Sequence, residues 1–234
     1  ALNQTYKKKE VIVFDDCSSD NSISIIRKIK NIKLLINKDK KKKSSPLNQI
    51  NAIMKSLAKA KGKYIFLLDG DDEYKNDKVE IIMNYFKQNI HFKMIQDKPS
   101  LRNRKNFFNF KKKNHFFSIW PSIYPTSCIA INRKIFKKLL MVADKNHFSN
   151  IWLDFRVGIL AKYIFKKYYI LNDNLTYYRQ TKNNVSSDFK HLSKNWWIRR
   201  HEAHKYVSFI FNKYNIKFKK NFDYFLTKLI NYFF

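Results

Sequence analysis

Two short stretches of this chain put carboxylates where a buried strand should end. In "EVIVFDDCSSDNS" a β-branched and aromatic run leads straight into Asp15 and Asp16, then into a Ser/Asp/Asn-rich helix start. In "KYIFLLDGDD" an apolar run ends in Asp69, Asp71 and Asp72. Carboxylates this close on a turn can reach toward one point, and their repulsion costs stability unless it is neutralised. A divalent cation removes that cost. Hard oxygen ligands suit Mg2+ or Mn2+, and a site with one or two carboxylates completes its coordination with water and substrate phosphates. Gly70 lets the backbone come close to such a ligand. At the first strand end, carboxylates can accept hydrogen bonds from a nucleobase imide or ribose hydroxyls, beside the N–H donors of a helix start. Each cluster alone also reads as an acidic turn or a helix cap, where Asp is common. Two of them in one α/β layer favour a nucleotide and a metal. The six histidines show no metal-ligand spacing.

The elements that must hold these groups alternate. Residues 10–16 read as a strand, and Ile23, Ile26 and Ile29 follow at helical spacing. "IKLLIN" (32–37) is a second strand and "KDKKKK" (38–43) a solvated loop. "SSPLNQINAIMKSLAKAKG" is a helix with Ser45 as cap, Pro46 at its first position and Gly62 at the C′ position. Its apolar face is Ile50, Ile53, Met54, Leu57 and Ala58. "KYIFLLD" (63–69) lacks alternation, which suits a central strand covered on both faces. Val79, Ile82, Met83 and Phe86 mark the next helix. This order predicts an α/β layer with a mostly parallel sheet, in which ligands bind beyond the carboxyl ends of strands. Residues 98–118 are basic and aromatic and read as a long irregular segment. After them come a strand (126–132), a helix in "RKIFKKLLMVA", a helix over 151–165, short strands in "KKYYILN" and "LTYYRQ", and a helical region from about 188.

Composition narrows the class. With 234 residues, 44% hydrophobic and 17% aromatic, the chain can bury a core, which excludes a disordered basic tail. No apolar run approaches the roughly 18 residues that span a bilayer. Forty-eight Lys and Arg against 18 Asp and Glu give a formal charge of +30, which attracts nucleic acid or anionic lipid. The same abundance of Lys, Asn, Ile, Phe and Tyr fits an AT-rich coding sequence, so charge alone identifies no partner. Cys17 and Cys128 read as reduced thiols. The C-terminal stretch interleaves Lys with Phe, Tyr, Ile and Leu, and "NWWIRRHEAHKY" adds Trp. That pattern suits core and interface packing, and also adsorption to an anionic membrane surface.

In order and spacing, the two acidic motifs resemble those of family 2 glycosyltransferases, which have the GT-A fold. That family carries Asp-Asp-x-Ser-x-Asp after one strand, then Gly-x-Tyr-Ile, a strand and Asp-x-Asp. Here those positions are Asp15, Asp16, Ser18 and Asp20, then Gly62, Tyr64, Ile65, Asp69 and Asp71. "WPSIYPTSCIAINRKIF", "IWLDFRVGILA" and "LTYYRQTKNNVSS" resemble its acceptor-side half, so the likeness runs to about residue 187. The resemblance implies a GT-A-type, Rossmann-like, mostly parallel sheet flanked by helices, with a helical C-terminal extension. Residues 1–187 would form the transferase domain (1–97 the nucleotide-sugar half, 98–187 the acceptor half) and 188–234 the basic-aromatic extension.

The family's chemistry is transfer of a sugar from a nucleotide-diphospho-sugar to a hydroxyl. The acceptor implied is a saccharide or lipid-linked saccharide of the cell envelope, and the transfer inverts the anomeric centre. By residue, the resemblance puts Asp15 and Asp16 at the base and ribose, Asp69 at the ribose and metal, and Asp71 on Mg2+ or Mn2+. Arg179 of "YR" becomes a phosphate clamp, and Asp154 of "WLDF" the general base. Leu153 stands where many members carry Glu, and Cys17 where Gly is common. The family's first strand, with its Pro-x-Tyr-Asn ending, has no counterpart ahead of Ala1, so an upstream piece is expected to be missing and the sheet to lack a strand. The implied location is cytoplasmic, peripheral at the inner face of the membrane. Two other readings compete. One is a glycosyltransferase-like chain without catalysis. The weaker one is a basic nucleic-acid-binding protein, although segment 98–118 matches no nucleic-acid module.

Overall fold

Alternation along two short strands sets the layers of the molecule. The computed structural model describes residues 1–38, 44–101, 123–143, 147–166, 168–179 and 189–234. Strands β5 (Met94–Leu101) and β6 (Ile129–Asn132) pair antiparallel, with Ile95 opposite Ala130. Met94, Ile129 and Ile131 enter one apolar cluster, while Ile95 and Ala130 enter another. That is the two-residue repeat of a strand covered on both faces. Helices α2 (Ser45–Lys59), α4 (Arg133–Val142), α5 (Leu153–Ile159) and α6 (Lys194–Lys213) build the first cluster. Helix α3 (Lys78–Gln88) covers the second through Ile82 and Phe86, whose burial contributes about 1.5–3 kcal/mol each.

The main sheet has the order β3-β6-β5-β7-β4, where β3 is Tyr64–Phe66, β4 is Glu73–Tyr74 and β7 is Tyr168–Tyr178. Strands β1 (Val11–Asp15) and β2 (Ile32–Ile36), joined through α1 (Ser22–Arg27), form a separate parallel pair. The α/β layering read from the element order is present. Its pairing is mixed: β1–β2 and β5–β7 are parallel, whereas β3–β6, β5–β6 and β4–β7 are antiparallel. Strand-helix alternation dictates parallel crossovers only in the first half, and the returning strands of the second half then enter against β3 and β4.

Other local expectations change for physical reasons. The run 63–69 is an edge of the main sheet rather than its centre, and Tyr64, Ile65 and Phe66 are only half-buried. Ser44, not Ser45, caps α2 by accepting from the Leu47 N–H, which moves Pro46 one step into the first turn. Gly62 has no left-handed backbone; α2 ends in extended Ala60, and the Gly62 N–H goes to Glu10 Oε1 at 2.7 Å. Ile25 and Ile29 stay exposed, and α1 buries no residue fully. The strand β5 takes up residues 98–101 of the segment read as irregular; 102–118 lie outside the described residues. The two short strands expected after residue 166 are one strand, β7.

Past residue 188 the chain is helical: α6, then α7 (Phe222–Tyr232). Ala203, Tyr206, Val207 and Ile210 of α6 sit in the same cluster as Phe136, Leu139 and Val157. Both cysteines are free. No described helix is long and apolar enough to cross a membrane.

Candidate active site

The six residues between β3 and β4 form a turn that holds the second acidic cluster. The Asp72 N–H donates to the Asp69 carbonyl at 3.2 Å and closes the turn. The Asp69 N–H donates to Ser127 Oγ at 3.0 Å, in the 3-10 turn Thr126–Cys128 that leads into β6. Gln49 on α2 donates to Asp69 Oδ1 at 3.2 Å. Asp72 Oδ1 accepts the Arg179 N–H at 2.9 Å, from the chain just past β7. The turn is thus tied to α2, β6 and β7 before any ligand arrives. Asp71 and Gly70 are exposed, and a Cβ added at Gly70 would meet nothing within 4 Å.

A buried ion pair stands behind the turn. Lys78 Nζ lies 2.8 Å from Asp97 Oδ1, both side chains fully excluded from solvent. It also donates to the Ser127 carbonyl at 2.7 Å and to Thr176 Oγ1 at 2.6 Å, and it sits 3.9 Å from the centre of the Tyr74 ring. The Thr176 hydroxyl donates to Asp97 Oδ2 at 2.7 Å. Ser127 therefore receives Lys78 on its carbonyl and Asp69 on its hydroxyl.

The electrostatics join this turn to Asp154. Burial pushes the Asp69 carboxyl up to about 7, and the charges of Asp72, Asp154 and Asp71 add to the rise. Burial also raises Asp72, opposed by the Ser127 hydroxyl and the Arg179 amide. Asp154 opens α5, with Oδ1 taking the Phe155 N–H at 2.6 Å. Burial raises its pKa, and the positive charge of Arg199 on α6 partly offsets that. Arg156 fixes the base of α5: its guanidinium donates to the carbonyls of Ile151, Ala143, His147 and Phe148. Gly158 allows close packing there, since an added Cβ would lie 2.9 Å from Ile123.

Asp69 carries a pH prediction. Its folded pKa lies above the ordinary value of 3.8, so the folded chain binds more protons than the unfolded chain between about pH 4 and 7. Its contribution to stability is lost as pH rises through that window. The melting-temperature gain of Asp69→Asn over the parent should therefore widen from pH 4 to 7 and then level. A gain independent of pH would show Asp69 ionised throughout.

The first acidic cluster is organised separately. Asp15 is buried and takes the Ser18 N–H at 3.1 Å on Oδ2, capping its own loop. Asp16 is exposed and accepts from Asn37 Nδ2 at 2.7 Å, and Asn37 Oδ1 in turn accepts from Lys55 at 3.0 Å. Cys17 has φ 64°, the left-handed region that favours glycine, and its Sγ donates to the Asn37 carbonyl at 3.0 Å. Arg179 has its guanidinium on Glu73 Oε1 at 2.9 Å, with both side chains nearly half exposed.

Among the described residues, no group of three His, Cys, Asp or Glu side chains could hold a metal ion unaided. The donor set fits a cation bound by few protein ligands. Asp71 is exposed, and the buried Asp72 Oδ2 has no hydrogen-bond partner among the described residues. Carboxylates of this kind suit Mg2+ or Mn2+ held jointly with phosphates. Sequence reasoning brought out Asp69, Asp71 and Asp154 but not Gln49, Ser127 or Arg199. These last three act through contacts between distant segments, and none belongs to a local motif.

The comparisons with known proteins agree with this architecture. The profile of glycosyl transferase family 2 matches residues 1–140. A glycosyltransferase of Haemophilus influenzae is 45% identical over 92 residues, 38% of this chain and 34% of that protein. The Escherichia coli UDP-Glc:alpha-D-GlcNAc-diphosphoundecaprenol beta-1,3-glucosyltransferase WfaP is 39% identical over 79 residues, 34% of this chain and 30% of that protein. These matches span about a third of the relatives' length. Among solved structures, Staphylococcus aureus TarS 1-349 in complex with UDP-GlcNAc superposes with a TM-score of 0.60 at 16% identity, over 87% of this chain and 59% of that one. Mannosyltransferase PcManGT of Pyrobaculum calidifontis, in complex with GDP-Man and Mn2+, gives 0.60 at 15% identity, over 95% and 60%. At such identities the likeness is one of fold, the GT-A fold. With a family profile covering more than half of its residues, the chain belongs to glycosyl transferase family 2.

Proposed function

We propose that this chain transfers a sugar from a nucleotide-diphospho-sugar to a hydroxyl acceptor, with inversion at the anomeric carbon. The observation that carries this reading is the acidic turn after β3, where Asp69 is held by Gln49 and Ser127, Asp72 by the Arg179 N–H, and Asp71 is exposed. Asp71, with Asp69, would hold Mg2+ or Mn2+; the cation supplies positive charge against the diphosphate that leaves. Asp15 and Asp16 face the base and ribose in this reading, and Arg179 would have to exchange Glu73 for a phosphate.

Asp154 is the general base. Its carboxylate takes the proton of the acceptor hydroxyl as that oxygen bonds to the anomeric carbon, and the carbon–oxygen bond to the diphosphate breaks on the opposite face. The products are the glycoside, a nucleoside diphosphate and a protonated Asp154, which returns its proton to water. Burial suits Asp154 to this task, because a carboxyl with a raised pKa is a stronger base. The acceptor we infer is a saccharide or a lipid-linked saccharide, in line with the diphosphoundecaprenol-linked acceptor in the name of the Escherichia coli relative.

A thermal-shift panel of UDP-, GDP- and TDP-sugars, each with and without Mn2+, tests the donor site. One base class should stabilise the chain in a metal-dependent way, and Asp71→Ala should abolish that response. Stabilisation that persists in Asp71→Ala would remove Asp71 from the metal site. No shift with any donor would favour a transferase-like chain without catalysis.

A further inference from the structure

Helix α7 is built inside out. Its two buried residues, Asp223 and Thr227, are polar, Asn231 donates to the Trp197 carbonyl at 3.1 Å, and the Tyr224 ring packs edge-on to His204. Asp223 takes the Arg200 Nε–H at 2.7 Å and lies 3.2 Å from His204 Nε2, so α7 docks on α6 through charge. Its outward face is apolar. Phe222 is 68% exposed, Phe225 57%, Leu229 58%, Tyr232 84% and Phe233 76%. At 3.6 residues per turn these five side chains fall within about 100° of the helix circumference. A helix of a water-soluble domain presents the reverse pattern.

The charge around this face has one sign. Lys217, Lys219 and Lys220 lead into α7 and Lys228 borders its apolar arc, all exposed. Between residues 189 and 234 the only acids are Glu202 and Asp223. Both are engaged internally, Glu202 by the Asn150 N–H at 3.0 Å and Asp223 by α6. Two copies meeting at this face would bring like-charged rims together. An anionic lipid surface satisfies both features at once: the aromatic arc enters the acyl boundary and the lysines meet the headgroups.

We propose that α7 and its flanking lysines form a membrane-surface anchor selective for anionic lipid. It ends one residue from the candidate site, since Arg200 holds α7 while neighbouring Arg199 offsets the charge of Asp154. The anchor extends the lipid-linked acceptor reading, but its test reads binding alone and so separates failure of the anchor from failure of the transfer reaction. The full chain is sedimented with vesicles of pure phosphatidylcholine and with vesicles containing one-third phosphatidylglycerol. Binding is expected with the anionic vesicles and not with the neutral ones. It should vanish in Phe225→Ser/Leu229→Ser/Phe233→Ser and weaken about fivefold per charge removed in Lys219→Gln/Lys220→Gln. No binding to anionic vesicles, or equal binding by the triple serine variant, would overturn the anchor. So would a parent dimer in light scattering that the serine variant dissolves, since a second copy would then be the occupant.

Discussion

Asp154→Asn is expected to slow sugar transfer by about 10²–10⁴-fold, the usual contribution of a positioned general base. Donor binding, read by the metal-dependent thermal shift, should survive, because Asn keeps the volume and the contact with the Phe155 N–H. The pH profile adds a second readout. In the proposed mechanism transfer needs ionised Asp154, so the rate should rise with pH through its raised pKa and then level. Arg199 holds that pKa down, so Arg199→Gln should move the acidic limb to higher pH. An Asp154→Asn enzyme with parental turnover would leave the site without a base and sink the proposed mechanism.

Lys78→Met should cost about 3–5 kcal/mol in urea unfolding, because it strands Asp97 as an uncompensated buried charge. The damage is expected to be largely recovered in Lys78→Met/Asp97→Leu, since replacing both ions of a buried pair by apolar groups is often neutral. The double variant would still lack the donor to the Ser127 carbonyl, and hence a support of the Asp69 turn. Donor binding should then stay weakened where stability has returned. A single variant costing under about 1 kcal/mol would mean that the pair is not held as buried ions.

What could be read in the sequence was mostly local. The apolar spacing of α2 and of α3, with Val79, Ile82 and Phe86 buried, follows directly from a period near 3.6. The acidic strand ends were visible because Asp is conspicuous after an apolar run. Strand β5 was not. Its fully buried Gln96 and Asp97 break the apolar pattern and are tolerated only because Tyr124, Tyr168, Thr176 and Lys78 satisfy them. A partner some distance away in sequence leaves no trace in a short window. For the same reason the influence of Asp154 on Asp69 leaves no trace in the spacing of the chain. Spacing along the chain carries no information on whether two loops meet, and Arg199 could not be placed beside Asp154 without the packing of α6.

The separation of β1–β2 from the main sheet bears on how binding energy is used. A parallel two-stranded ribbon is marginal by itself, and here it carries Asp15 and Asp16 at its end while Asp69 and Asp71 belong to the other sheet. A donor whose base meets the ribbon and whose diphosphate meets the turn acts as a rivet between two plates. In the proposed reading, part of its intrinsic affinity would be consumed in clamping the ribbon, and the measured affinity would fall below what its contacts suggest. The sugar at the far end would then rest against a framework stiffened by the donor's arrival.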